Sequence, residues 1–204
     1  MIRVAVTPDL VLDDEMYELA RYALSWCAPE QVEGFTWERF VTRESWTLVP
    51  DVENPDIPFF KAEFVIKLAA PWQQTVKLNV WHSADVRRDG APLPHSHPWN
   101  FRGYVLLGGY EEDRYELSGG QVEAQPGQVH LAGMVNNVPL TTFHEVRRVL
   151  VPDRTLSLMD CDLGIKNAWG YLDPDTGVYT PCIKSEVDAR FKPLMLARNP
   201  HLRK

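Results

Sequence analysis

Hydrophobic positions change their period twice along this chain. After a short opening strand, Asp13-Asp14-Glu15 places negative charge at a helix start, and Met16, Leu19, Tyr22, Ala23 and Trp26 follow at spacings of three and four. That spacing predicts one apolar face of a helix ending near Pro29. From Thr36 to Leu48 aromatic and charged residues mix without a clear period, and the stretch fits helix or strand. From about Pro58 the period becomes two. Phe59–Leu68 and Thr75–His82 are β-type runs separated by a Pro-containing turn. Further strands are predicted at Phe101–Tyr110, Arg114–Leu117, Gln121–Ala124, Val129–Ala132, Thr141–Leu150 and Thr155–Cys161. Gly119-Gly120, Pro126-Gly127, Asn136-Asn137 and Pro152-Asp153 punctuate them. Many short strands with such turn signals predict an all-β antiparallel sandwich or barrel. Helical texture returns from Ser185 to Arg198, around Val187, Phe191 and Leu194. With no repeat or linker, one domain is expected: a barrel core over about 58–182, an N-terminal helical extension over 1–57 and a C-terminal helix over 183–204.

Composition narrows the partners. An apolar fraction of 45% in 204 residues supports a core without staples. The formal charge of −7, with 21 basic against 28 acidic residues, argues against a nucleic-acid partner. The pairs Arg87-Arg88 and Arg147-Arg148 lie in mixed-charge surroundings. Cys27, Cys161 and Cys182 are few and widely spaced, as inert thiols of a reducing compartment are. Neither a signal peptide nor a membrane span is legible, so a soluble cytoplasmic protein is expected. No phosphate loop, dinucleotide glycine pattern or serine elbow occurs.

His95-Ser96-His97 and the distant His144 carry the chemistry. Histidines at i and i+2 of an extended segment share a face and can grip one metal ion. A third imidazole from another strand would complete a three-nitrogen face and leave coordination positions open, which suits catalysis.

In these residues the chain resembles the cupin superfamily over about residues 74 to 162. The family's first motif has two histidines one residue apart, then a glutamate and a glycine; Gly90, His95, His97 and Gly109 fall close to that spacing. Its second motif is matched by Gly133, Pro139 and His144, with Thr141 in place of a glycine and Arg148 where an asparagine usually ends it. The resemblance implies a cupin-type double-stranded β-helix, a jelly-roll barrel with flanking N- and C-terminal helices, and a metal held by His95, His97 and His144. Fe(II) leads, with Zn, Ni or Cu open, and a homodimer is the family default.

The family's glutamate position is taken here by Phe101 or Arg102. Strand alternation favours Arg102 as the inward residue, in phase with Tyr104, Leu106, Gly108, Tyr110 and Glu112. Because a guanidinium cannot ligate a metal, Arg102 is expected to clamp a substrate carboxylate, as an arginine does in the similar thiol dioxygenases. The open alternative is an internal ion pair with Glu112 or Asp160. Tyr104 or Tyr110 would orient O2 or substrate, or pack. Glu112 is a candidate base or fourth ligand; Arg148 and His82 are candidate substrate contacts, with surface pairing and barrel capping as their alternatives. His130 and His201 read as surface residues, and Trp99 as packing below the site. The leading function is a non-haem Fe(II) dioxygenase acting on a small anionic substrate. The rivals are a redox-neutral isomerase, lyase or hydrolase with Glu112 or His82 as base, and a non-catalytic ligand-binding cupin.

Overall fold

The N-terminal segment folds as a cover for a sheet. β1 (Arg3–Thr7) and β2 (Leu10–Asp13) form a hairpin, and the Asp13 carboxylate accepts from the Met16 amide to cap α1 (Asp14–Cys27). The computed structural model describes residues 1–68, 75–85, 91–165, 168–182 and 184–203, and the side chains of these except Leu68 and residues 184–188. Arg87, Arg88 and Gly90 lie outside the described residues, as does the side chain of Val187. The buried stripe of α1 is Met16, Ala20, Ala23 and Leu24; Tyr22 and Trp26, expected on that stripe, are exposed. The stretch that the pattern left open contains the short helix α2 (Trp37–Phe40) and the edge strand β3 (Thr47–Val49).

Strands β4 (Lys61–Leu68), β5 (Thr75–Trp81), β6 (Phe101–Leu107), β7 (Gly109–Ser118), β8 (Gln121–Leu131), β9 (Val135–Val138), β10 (Phe143–Val149) and β11 (Thr155–Cys161) make two antiparallel sheets. One has the order β3-β4-β5-β11-β6-β9, the other β10-β7-β8. β11 between β5 and β6, and β10 beside β7, are the crossovers of a jelly roll, which is the cupin-type fold class. A small hairpin of β12 (Gly170–Leu172) and β13 (Tyr179–Pro181) follows, then α3 (Lys184–Arg198). Beyond α3, Asn199 is buried; its side-chain amide donates to the Leu48 carbonyl and accepts from the Leu48 amide, covering the free edge at β3. Among the described residues, no helix is long and apolar enough to cross a membrane.

Both faces of the six-stranded sheet are covered, and this decides which side chains can reach the histidines. Ala62, Phe64, Val76, Leu78, Val80, Leu156 and Leu158 point outward and pack with Phe35, Phe40, Trp46 and the buried stripe of α1 into the main core. The alternate residues, among them Lys61, Asn79, Trp81, Ser157, Phe101 and Gly103, face the three-stranded sheet. The larger apolar core therefore lies outside the barrel, under the helix, and the inner face is free to be polar.

Candidate metal centre

His95 and His97 lie on an extended segment that docks between β10 and β12. The backbones of His95 and His144 exchange hydrogen bonds of 3.0 and 2.9 Å, the Ser96 amide donates to the Gly170 carbonyl, and the Leu172 amide donates to Pro94. Ser96 is held on the β12 side, so by alternation both imidazoles turn to the interior, where His144 of β10 meets them. The ligand nitrogens of the three residues lie within 4.8 Å of one another. His97 Nε2 and His144 Nε2 are 2.9 Å apart. Two imidazole nitrogens bound at right angles to one ion at 2.0–2.1 Å are separated by about 2.9 Å, so the spacing of the pair fits neighbouring positions on an octahedral ion.

Protonation also fits ligation. Burial pushes the His95 imidazole down to about 4, against the pull of Asp85, and holds His97 well below the usual histidine range. Both rings are therefore neutral at pH 7, the form that binds metal. Behind His144, Glu112 is fully buried and its carboxylate lies 2.9 Å from His144 Nδ1. Burial alone would raise the Glu112 carboxyl; hydrogen bonds from His130 and His144, with Arg114 nearby, outweigh it and keep the group ionised. An ionised carboxylate only accepts, so His144 Nδ1 carries the proton and Nε2 presents its lone pair to the centre. Arg114 at 2.6 Å, His130 Nε2 at 3.1 Å and the Asn136 amide at 3.0 Å complete the shell of Glu112. The donor set thus fits a divalent ion.

The cavity over the histidines is walled by Trp81, Phe101, Gly103, Tyr110, Val146, Ser157 and Met159, with Lys61 and Asp85 as its charged members. Its free volume is about 30 Å³, room for roughly two waters or one small polar group. Asp85 stands 3.7 Å from His95 Nε2. The Tyr110 hydroxyl accepts from the Asn136 amide at 2.9 Å, and burial pushes its phenol above the usual range.

Several sequence expectations need correction. Arg102 lies on the opposite face of the sheet from the histidines, half exposed, 2.5 Å from Asp160. It follows the alternative of an ion pair with Asp160. Tyr104 shares that outer face and meets Trp26 edge-on at 4.6 Å, so it too is outside the cavity. The phase was misread because β6 and β7 are not one strand. Gly108, at φ +69°, breaks them where an added Cβ would stand 2.5 Å from the Thr155 hydroxyl. Even-numbered residues consequently point out in β6 and in at Tyr110 and Glu112. Glu112 is committed to four polar neighbours, His144, Arg114, His130 and Asn136, which leaves it neither a free base nor a fourth ligand. Arg148 pairs with Glu111 at 2.8 Å on the surface, and His82 Nδ1 lies 2.6 Å from Asp153 outside the cavity. His130 is buried against Glu112 and is not a surface residue. Trp99 stacks on His97. Cys27 and Cys161 are free thiols, and burial pushes both up to about 11, which keeps them protonated. Lys61, Asp85 and Asn136 were not anticipated. The alternation of Lys61 with Glu63, and of Lys77 with Asn79 on the neighbouring strand, was the available signal of a polar inner face.

No protein-family model matches the chain, and no curated protein matches it. Solved structures give distant likenesses. Streptomyces PAC13 with uridine has 15% identity and a TM-score of 0.37, over 56% of this chain and 79% of that one. KdgF from Halomonas sp. has 16% identity and a TM-score of 0.32, over 50% and 80%. Hydroquinone 1,2-dioxygenase PnpCD, in complex with Cd2+ and 4-hydroxybenzonitrile, has 10% identity and a TM-score of 0.36, over 49% and 63%. The functional reading therefore rests on this chain's own side chains.

One pH dependence follows from the metal-free geometry. The unfolded chain protonates its histidines near pH 6.5, whereas folded His95 resists protonation until about 4. Between those values the unfolded state binds more protons, so stability is present above pH 6.5 and is lost as pH falls towards 4. For His95 the loss by pH 5 is about 2 kcal/mol, a fall in Tm of roughly 4–8 °C for a chain of this size. Thermal melts of chelator-treated protein at pH 7 and pH 5 should show that fall, and a smaller one in His95→Gln. Equal falls in both proteins would contradict the assignment.

Proposed function

We propose that this protein is a metal-dependent enzyme in which His95, His97 and His144 hold a divalent ion, Fe(II) before Zn, Ni or Cu, and which oxidises a small anionic molecule with O2. The observation that carries the reading is the convergence of three imidazoles, two of them with nitrogens 2.9 Å apart, on a cavity with an otherwise largely apolar wall. A bound ferrous ion would supply the redox chemistry that lets O2 react with a closed-shell organic substrate. The chain's residues do the rest. Glu112 holds the proton on His144 Nδ1 and so fixes which nitrogen faces the centre. Phe101, Val146 and Met159 exclude water. Tyr110 accepts from Asn136, which leaves its own hydroxyl hydrogen available to a ligand in the cavity.

A second reading rests on Asp85, the carboxylate at the cavity wall beside His95. As a general base next to a Lewis-acidic ion it would support isomerase, lyase or hydrolase chemistry. Glu112 and His82, the bases expected from sequence, both lie outside the cavity. The test is turnover of a panel of small carboxylates by Fe(II)-loaded protein in an oxygen electrode and under argon. Stoichiometric O2 uptake, absent from His97→Ala, supports the oxidase reading. Turnover that persists under argon and disappears in Asp85→Asn replaces it with the second.

A further inference from the structure

Below the histidines the inner face of the six-stranded sheet is polar, and its net charge is positive. By alternation Lys61 and Glu63 of β4 and Lys77 and Asn79 of β5 all face inward, and the register sets Asn79 between Glu63 and Ser157. Glu63 lies 3.0 Å from the Lys61 ammonium and 2.7 Å from that of Lys77. Two cations thus share one carboxylate and leave one net positive charge. Lys61 lines the same cavity as the three histidines, over the Trp81 ring at 5.4 Å from its centre. Asn79 is fully buried, and neither its amide nitrogen nor its amide oxygen has a hydrogen-bond partner. Trp81 and Ser157, its neighbours along and across the sheet, line the cavity.

A buried amide left unpaired costs stability, so its place here calls for something that pairs with it. The inventory says what. Lys61 keeps two N–H donors beyond the one aimed at Glu63, and Asn79 has two. Ser157 accepts from the Trp81 indole at 3.0 Å, which frees its own hydrogen to donate. Lys61 and Ser157, both on the cavity wall, thus bring three donors to a space that Asp85 borders on its other side, and the unpaired amide of Asn79 stands beside Ser157 in the sheet. A ligand rich in acceptors complements the Lys61 and Ser157 donors, and the free volume admits a group the size of a carboxylate. A divalent ion on three neutral imidazoles keeps its charge, which a single Asp85 does not balance, so the charge of the cavity agrees.

We propose that this floor is the anion subsite of the centre, with Lys61 binding the substrate carboxylate, Ser157 orienting it and Asn79 supporting Ser157 from the adjacent strand. The proposal rests on the reading of the three histidines as the reactive centre. It moves the anion-binding role from Arg102, on the wrong face, to Lys61.

The test uses chelator-treated full-length protein, so that anion binding is read without the metal. Sodium formate is titrated at constant ionic strength and followed by tryptophan fluorescence, for which Trp81 is the local reporter. Saturable binding is expected, weakened at least tenfold by Lys61→Met. That variant leaves Glu63 paired with Lys77, and its melting temperature checks the fold. Asn79→Leu is expected to raise the melting temperature of the anion-free protein, by removing the unpaired amide, while weakening formate at least threefold. A purely structural asparagine would not separate those two readouts. Arg102→Met, on the outer face, should bind formate as the unsubstituted protein does. Absence of saturable binding, or affinity in Lys61→Met within threefold of the unsubstituted protein, overturns the subsite. If formate binds through Lys61 but the histidines load no metal, the subsite stands and the enzyme reading falls.

Discussion

Replacing His144 by alanine abolishes stoichiometric metal loading. The structure gives this residue three connections at once: its backbone is bonded to His95, its Nε2 lies 2.9 Å from that of His97, and its Nδ1 is anchored on Glu112. Removing it leaves two imidazoles and an open wall. Zinc-finger peptides gain about 10–16 kcal/mol from four ligands, roughly 3–4 kcal/mol each. Loss of one ligand should therefore weaken binding about 10²–10³-fold. Elemental analysis after desalting would find near-stoichiometric metal in the native protein and little in His144→Ala. Added Fe(II) or Zn(II) should raise the Tm of the first and not of the second. His82→Ala is the control, because its imidazole is spent on Asp153 outside the cavity, and it should load like the native protein. Equal loading of native protein and His144→Ala would remove the centre from consideration.

The histidine cluster was legible because it depends on two short-range facts: the i, i+2 geometry of an extended segment and a single strand, β10, brought beside it. The strand-rich core was legible for the same reason, since period two survives burial. What could not be read was which face of each strand points inward. Alternation separates two faces but does not label them, and the usual label, apolar inside, fails when a helix covers the outside. Phe64, Leu78 and Leu158 look like barrel interior and instead pack under α1 with Phe35 and Trp46, while Lys61 looks like surface and lines the cavity, and Asn79 is buried on the same inner face. Arg102 was misplaced for this reason, and the bend at Gly108 then hid the error by carrying its parity on to Tyr110 and Glu112, which do face inward. His130 was misread because its partner, Glu112, belongs to the adjacent strand, and a cross-strand pair leaves no spacing in sequence.

Glu112→Gln should lower both metal affinity and stability, and the two losses have separable causes. Glutamine keeps the shape but carries no charge, and it offers both an oxygen and an amide nitrogen. With the oxygen towards His144 the Nδ1 proton is kept, though more weakly. With the nitrogen towards it, Nδ1 must accept, and the proton moves to Nε2, the atom that faces the centre. Loss of such a partner behind a metal-ligating histidine typically costs 10–100-fold in metal affinity, and that range is expected here. Stability falls because Arg114, at 2.6 Å, and the buried His130 lose the carboxylate they share; breaking a buried pair of this kind costs about 3–5 kcal/mol. The comparison that isolates the metal effect is Glu63→Gln. Glu63 is also an inward-facing carboxylate: burial works against its charge, yet Lys77 and Lys61 hold it down to about 2, and it pairs with those lysines rather than with a histidine. Its replacement leaves two ammonium groups unpaired and should destabilise the fold comparably, while metal affinity stays within about threefold of native. Competition titrations against a chromogenic chelator, run beside thermal melts, read both quantities. If the two variants lose metal affinity equally, Glu112 acts on the centre only through the stability of the fold. If Glu112→Gln alone loses it, the carboxylate positions His144.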